Sequence, residues 1–94
     1  MVTYLMFGKY SMEGIRKICA ERTVQTKQLA TKFGGEVKEM YALLGENDLV
    51  FIVTFPGVEE AMKFSVALTK MLDISFTTSP AVTAEKFDEI VAGL

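Results

Sequence analysis

The sequence predicts an α+β fold, with two long helices on one face of a four-stranded antiparallel sheet. Three observations lead to this prediction. Strand and helix patterns alternate in the order β-α-β-β-α-β-α, the first and third strands are apolar on both faces, and the second and fourth strands have features typical of sheet edges. The 94 residues make one domain, residues 1–94, because a second would be too small to hold its own core.

The first strand is predicted over Val2 to Phe7, with large apolar side chains on both parities. Ser11 follows as a suitable N-cap, because its hydroxyl can accept a hydrogen bond from the first turn of a helix. The apolar stripe of this helix fades across residues 20–25, which predicts a kink or a short break there. Gly34-Gly35 then ends the helix, since glycine readily adopts the left-handed conformation.

The second and third strands are predicted to form a hairpin. Glu36 to Leu44 contains several charged residues and therefore suits a sheet edge. Gly45-Glu46-Asn47-Asp48 reads as a tight polar turn, because Asn and Asp bond their own backbone. Leu49 to Phe55 is apolar on both parities, which is typical of a strand that is buried on both faces.

A second helix, a fourth strand and a short terminal helix follow Pro56-Gly57. The second helix has an apolar stripe formed by Val58, Ala61, Phe64, Ser65, Leu68, Met71 and Leu72. The fourth strand spans Ile74 to Ala81, and Pro80 places its end at a sheet edge. Thr83 caps the terminal helix, whose apolar face consists of Phe87, Ile90, Val91 and Leu94.

This order of elements corresponds to the split βαβ, or ferredoxin-like, arrangement. Right-handed crossovers place the first and third strands at the centre of the sheet, in agreement with their two-sided apolarity. Both long helices must then cover the same face, which leaves the other apolar face bare. We therefore expect a homodimer or a higher even-numbered oligomer in which a second copy covers that face.

Composition and charge argue against several partners. The formal net charge is −2 and no basic face is visible, so nucleic acid is not an expected partner. No apolar run approaches the roughly 20 residues that span a bilayer, so no membrane association is expected. The N-terminal segment reads as a strand and not as a signal peptide, which predicts a cytoplasmic protein.

The residue types present restrict the chemistry. The chain has no histidine and one cysteine, Cys19, which neighbouring apolar residues suggest is buried. Histidine-dependent catalysis and zinc or copper sites are therefore not expected, and the carboxylates are spread along solvated helix faces. We predict no metal, no cofactor and no catalytic residues.

Five residues are candidates for contacts with a small, largely apolar ligand: Tyr4, Lys9, Tyr10, Tyr41 and Asp48. The three tyrosines and Asp48 also have a structural interpretation. Tyrosines pack their rings while satisfying one hydroxyl group, and Asp48 can stabilise the hairpin turn. Lys9 and Tyr10 follow the first strand, where they would stand at the rim of a pocket.

Several short motifs in this order resemble the GYD-domain family over nearly the whole chain. They are Thr3-Tyr4-Leu5, Gly8-Lys9-Tyr10, Glu13-Gly14, Gly34-Gly35-Glu36-Val37-Lys38, Tyr41, Gly45-x-x-Asp48-Leu49-Val50 and Phe87-Asp88-Glu89-Ile90. The family is named for Gly, Tyr and Asp near this hairpin, and Asn47 stands where the tyrosine is expected. The resemblance implies a ferredoxin-like domain that pairs as a dimeric α/β barrel.

The resemblance implies no particular activity, so the function has to be inferred from the residues of this chain. The apolar interior of the domain and its lack of histidine favour a dimeric small-molecule-binding or accessory module without catalysis of its own. The alternative is a small cofactor-free enzyme similar to monooxygenases that share this fold, acting on an apolar or aromatic substrate. A third reading is an interaction domain only, which a fully packed interior would favour. The third strand also resembles ligand-sensing domains of amino-acid-responsive regulators.

Overall fold

The computed structural model describes residues 1–94 and contains four strands and four helices. The strands are β1 (Val2–Tyr10), β2 (Glu36–Ala42), β3 (Leu49–Phe55) and β4 (Ile74–Ala81). The helices are α1 (Met12–Arg16), α2 (Ala20–Lys32), α3 (Val58–Leu72) and α4 (Ala84–Ala92). None of these helices combines the length and the apolarity needed to cross a membrane.

The four strands form one sheet in the order β2-β3-β1-β4, and every neighbouring pair is antiparallel. The chain therefore has the predicted ferredoxin-like α+β fold. As expected, β1 and β3 are central, while β2 and β4 form the edges. Tyr4 pairs with Val53 and Met6 pairs with Phe51, so these buried side chains share one face of the sheet.

The core lies between this face and the helices α2 and α3. Its strand residues are Tyr4, Met6, Phe51, Val53, Phe55 and Ile74, and its helix residues are Ala30, Ala61, Phe64, Leu68 and Leu72. The rings of Phe55 and Phe64 lie 5.0 Å apart between their centroids, which joins β3 to α3. Both long helices thus cover the same face, as the sequence predicts.

The opposite face of the sheet contributes nothing to this core. Its central residues are Leu5 and Phe7 of β1, paired with Ile52 and Val50 of β3, and all four are only partly buried. We call these four residues the helix-free face. Their side chains are large and apolar. A partner that covers them would remove further apolar surface from contact with water, which is favourable.

The terminal helix α4 projects away from the rest of the chain and has no buried residue. On its apolar side, Phe87 is 56% exposed and Ile90 is 51% exposed. The radius of gyration is 14.2 Å, and the longest dimension is 49 Å. A compact chain of this length would have a radius of gyration of about 12 Å. The difference fits a helix that finds no packing surface within its own chain.

Three predicted boundaries are wrong. The strand β1 continues beyond Phe7, because Lys9 and Tyr10 still pair with β4. The break in the first helical segment falls at residues 17–19, before the predicted position. The strand β2 stops at Ala42, since the amide of Leu43 bonds to the carbonyl of Asp48 at 2.8 Å and closes a loop over residues 43–48.

The predicted helix ends are confirmed at three positions. The Ser11 hydroxyl accepts a hydrogen bond from the Gly14 amide at 2.9 Å, and the Thr83 hydroxyl accepts one from the Lys86 amide at 3.1 Å. Gly34 follows α2 with a φ of 79°, in the left-handed region that glycine favours.

The predicted stripe on α3 is only partly correct. Ala61, Phe64, Leu68 and Leu72 are buried as expected, but Val58 and Met71 are exposed. Val58 is the first residue of the helix, and Met71 remains exposed although its neighbour Leu72 is buried.

Candidate functional site

A groove of about 290 Å³ opens between the α1–α2 corner and the ends of the central strands. Its lining comes from the corner (Ile18, Cys19, Arg22, Thr23, Thr26), from β1, β2 and β3 (Tyr10, Met40, Tyr41, Ala42, Leu49, Phe51) and from the end of α3 and start of β4 (Leu72, Ile74). We call this cavity the corner groove. Its volume lies near the lower limit for small-molecule sites, and its walls are mostly apolar, as such sites usually are.

The corner groove is bordered by two of the five residues that the sequence singles out, but only one of them turns its side chain into it. Tyr10 ends β1, is half-buried and lies on the helix-covered face with its pairing partner Ile74. Tyr41 pairs with Val50, so its ring lies on the helix-free face, where it is 53% exposed, and it borders the groove with its backbone. The groove therefore combines an apolar wall with one phenol, which offers a ring for stacking and a hydroxyl that can donate or accept a hydrogen bond.

Asp48 lies outside the groove lining but fixes the backbone of Tyr10. Its Oδ2 atom accepts a hydrogen bond from the Tyr10 amide at 2.9 Å. Its own amide donates to the carbonyl of Gly8 at 2.8 Å. The carboxylate thus connects the β2–β3 loop to β1. The connection is a charge-assisted hydrogen bond from a partly buried amide.

A network of hydrogen bonds joins the helix ends beside the corner groove, and Arg22 and Leu72 belong to both. The Arg22 guanidinium donates to the carbonyl of Gly14 at 2.8 Å and to that of Leu72 at 2.6 Å. It therefore links α2 to α1 and to the last residue of α3. Ser11 also joins α1 to α3, because its hydroxyl donates to the carbonyl of Asp73 at 2.9 Å.

Gly14 is required in this network because the chains approach closely. A Cβ atom at this position would lie 2.7 Å from the carbonyl oxygen of Asp73, a distance at which the backbone would have to move. The absence of a side chain at Gly14 therefore lets α1 pack against the end of α3.

The predicted burial of Cys19 is wrong. Cys19 is exposed and occupies the N-cap position of α2, with an extended backbone at φ −159°. The break between α1 and α2 moves it out of the helical register that the sequence suggested. Its neighbours Ile15 and Ile18 are also exposed, at 50% and 56%. The thiol thus borders the corner groove instead of filling the core.

Tyr4 and Lys9 lie elsewhere. Tyr4 is buried at the other end of the sheet, where it lines a second cavity of about 440 Å³ between α3 and β4. Lys9 forms an exposed ion pair with Glu46 at 3.6 Å. It pairs with Ser75 in the strand register and is not part of the corner groove.

The family of this chain follows from its sequence match. The family model of the GYD domain matches residues 4–91. The chain belongs to the GYD domain family. The match confirms the resemblance inferred from the short motifs, and it includes the hairpin with Gly45 and Asp48 and most of α4. No curated protein matches this GYD domain at a significant level.

Solved structures share the fold of this GYD domain. The leucine response regulatory protein LrpA of Mycobacterium tuberculosis is similar with a TM-score of 0.59 and 8% identity over 88% of this chain and 51% of that one. An AsnC family transcriptional regulator from Agrobacterium tumefaciens gives 0.58 and 18%, over 87% of this chain and 50% of that one. The chain thus spans about half the length of these regulators.

One similar structure has about the length of this GYD domain. The protein FFRP-DM1 matches with a TM-score of 0.62 and 23% identity, over 87% of this chain and 100% of that one. At these identities the likeness shows a common fold.

Sequence reasoning missed Arg22 in this GYD domain. A cation in the first turn of a helix interacts unfavourably with the helix dipole. Such a residue is therefore a candidate for hydrogen bonds to carbonyl groups outside its own helix. The carbonyls of Gly14 and Leu72 are those acceptors. The remaining acidic and thiol side chains form no group of three or more that could hold a metal ion.

Proposed function

We propose that this GYD domain is a cytoplasmic homodimeric module that binds a small, largely apolar ligand in the corner groove, without catalysis of its own. The observation that carries the proposal is the half-buried Tyr10 side chain at an apolar groove of about 290 Å³. Ligand sites of this kind combine an apolar lining with a few polar groups that orient the ligand.

Within this proposal, Tyr10 contacts the ligand directly. Asp48 acts through Tyr10, because its carboxylate accepts a hydrogen bond from the Tyr10 amide. Tyr4 and Lys9 do not contribute to this groove, since neither belongs to its lining, and the Tyr41 ring lies on the helix-free face. Of the five residues that the sequence singles out, the proposal retains one ligand contact and one positioning residue.

The proposed dimer is supported by two apolar surfaces without a partner in the chain. These surfaces are the helix-free face and the apolar side of α4. Stable interfaces bury about 800 Å² of surface per partner. The helix-free face and the apolar side of α4 together provide apolar surface for an interface of this kind. Pairing two helix-free faces would give the dimeric α/β barrel.

Tyr41 belongs to the surface of the proposed dimer. Its ring shares the helix-free face with its pairing partner Val50. A second copy that covers Val50 would therefore also contact the Tyr41 ring, which is 53% exposed in the single chain.

Native mass spectrometry of freshly purified protein tests the proposal, because it reports the oligomer and any co-purified ligand together. We expect an even-numbered oligomer, with a small organic ligand at up to one per chain. Thermal melting with a panel of neutral aromatic compounds supplies the second measurement. A bound compound stabilises the folded state by an amount that grows with its concentration.

A groove-filling variant sharpens this experiment. Ala42 is exposed and lines the corner groove, so Ala42→Trp should fill it and abolish ligand-induced stabilisation. Ala92→Trp at the exposed end of α4, on the side of Asp88 and Glu89 and away from its apolar side, is the matched control. Equal stabilisation of both variants by the same compound would contradict the corner groove as the site.

The enzymatic alternative draws on the same geometry, since an apolar groove with a phenol in its wall would also hold an aromatic substrate. It differs in one measurable respect. Aerobic incubation with a compound that stabilises the protein would convert it to an oxygenated product, which mass spectrometry detects. Recovery of the unchanged compound supports the binding module.

A further inference from the structure

We propose a second binding site in the cavity between α3 and β4, for a neutral and mainly apolar molecule with one hydrogen-bonding oxygen. This α3–β4 cleft has a volume of about 440 Å³. It shares no lining residue with the corner groove, so the inference stands independently of the proposed function.

The cleft contains two hydroxyl groups that the protein does not satisfy. The hydroxyl oxygens of Tyr4 and Thr78 are buried, and neither has a hydrogen-bond partner in the protein. Both residues line the cleft, and Tyr4 is only 3% exposed. Buried polar groups are normally paired, because an unpaired one loses its bonds to water without replacement. Two such groups in one cavity indicate a partner from outside the chain.

The rest of the cleft is apolar and open on one side. Val58, Met62 and Val66 form an exposed row along α3, each more than half exposed. They are spaced four residues apart, so they share one side of the helix. Such a row beside a cavity offers contact area to the apolar body of a ligand. Met62 adds a flexible side chain that can adapt to the shape of that body.

The lining also determines the charge of the ligand. None of the nine residues that surround the cleft carries a charge. An anion would lose its hydration there without gaining a cationic partner, which disfavours carboxylates. Hydroxyl groups of Tyr and Thr can both donate to a carbonyl oxygen. A ketone, an ester or a similar neutral carbonyl compound therefore matches the site best.

A pair of aromatic rings separates the two cavities. Phe51 lines the corner groove and Phe76 lines the α3–β4 cleft, with ring centroids 5.5 Å apart. The Phe76 ring has this position because Gly8 has no side chain. A Cβ atom on Gly8 would lie 2.8 Å from Cε1 of Phe76. Occupants of the two cavities would therefore be separated by side chains and can be tested one at a time.

The test uses three bicyclic probes of similar size in NMR titrations of the full chain. α-Tetralone is a neutral ketone, tetralin has the same ring skeleton without the carbonyl, and naphthoate is a flat anion. We expect α-tetralone to shift the amide signals of α3 and β4 and to bind about tenfold more tightly than tetralin. Naphthoate should bind more weakly than both.

Two variants remove the hydroxyls while keeping the shape of the site. Tyr4→Phe and Thr78→Val should each weaken α-tetralone binding about three- to tenfold and leave tetralin binding unchanged. Both should melt at or above the parent temperature, since each loses an unpartnered buried hydroxyl. Tyr41→Phe removes a hydroxyl on the helix-free face, outside the cleft, and is the control with unchanged α-tetralone binding.

Three results would overturn the inference: equal affinities for α-tetralone and tetralin, hydroxyl-free variants with the affinity of the parent, or amide shifts confined to the corner groove. The Ala42→Trp variant separates the two sites. If it loses stabilisation by other aromatic compounds but retains α-tetralone binding in the cleft, both sites are supported. If only the cleft binds, the corner-groove proposal fails and this inference stands.

Discussion

Asp48 shows how one carboxylate can shape a site that it does not line. Its Oδ2 atom holds the amide of Tyr10 at 2.9 Å, across 38 positions in the sequence. The bond joins the β2–β3 loop to the end of β1, where Tyr10 borders the corner groove. The residue therefore acts on the groove through the backbone.

Replacing Asp48 with Ala should destabilise the fold. The partly buried Tyr10 amide would lose a charged acceptor, which costs about 1–3 kcal/mol in the free energy of unfolding. Urea unfolding at a fixed protein concentration measures this loss. Glu46→Ala is the control, because Glu46 makes only an exposed ion pair with Lys9 and should change stability by less than about 0.5 kcal/mol. Equal midpoints for the two variants would contradict the role of Asp48.

Single residues also show where sequence reasoning stops. Turn chemistry suggested that Asp48 has a structural role, but its partner lies 38 residues away and no local pattern reveals it. Cys19 looked buried because it continues an apolar stripe. Its exposure depends on the position of the helix break, which tertiary contacts of Arg22 and Ser11 help to set. Tyr10 and Tyr41 were both identified as candidates, yet the register of the folded sheet places their side chains on opposite faces.

At the scale of elements, the ends of three helices meet at one arginine. Arg22 donates to carbonyls of α1 and α3, and its partly buried guanidinium reaches both because its donors form a planar fork. Lysine has the same charge but offers a single ammonium group. The geometry and not the charge is therefore the important property.

Arg22→Lys should lower the free energy of unfolding by about 1–3 kcal/mol, since at least one carbonyl loses its charged donor. Arg16→Lys provides the matched control on the neighbouring helix, because Arg16 makes only an exposed pair with Glu13 at 3.4 Å. Chemical denaturation of both variants measures the difference. If the Arg22→Lys variant has the same free energy of unfolding as the parent protein, a positive charge alone is sufficient at this junction.

The terminal helix α4 poses a different question, because its apolar side finds no partner within the chain. The double variant Phe87→Ser, Ile90→Ser should weaken self-association at least tenfold, as burial of each side chain by a second copy would contribute about 1.5–3 kcal/mol. Asp88→Ser, Glu89→Ser on the same helix is the control. Sedimentation measurements over a concentration series give both association constants, and identical values would show that α4 lies outside the interface.

For the molecule as a whole, the sequence was sufficient to predict the strand order. Two-sided apolarity of β1 and β3 placed them at the centre, and the charged β2 and the proline of β4 placed those strands at the edges. These signals are strong because they repeat along entire strands. The cavities were beyond prediction because they depend on where α1 ends and where Phe76 packs, and neither detail has a periodic signal.

The helix-free face leads to the final prediction. Ile52 pairs with Leu5 at the centre of this face, so Ile52→Asp would place a carboxylate where the proposed partner excludes water. We expect a monomer or an unfolded chain by light scattering and circular dichroism at micromolar concentration, since many obligate dimers lack a stable monomer. Val66→Asp adds the same charge on the exposed side of α3 and should leave the oligomer intact. If the parent protein is a stable monomer at this concentration, the proposed dimer is refuted. If the Ile52→Asp variant still forms a dimer, the interface does not lie on the helix-free face.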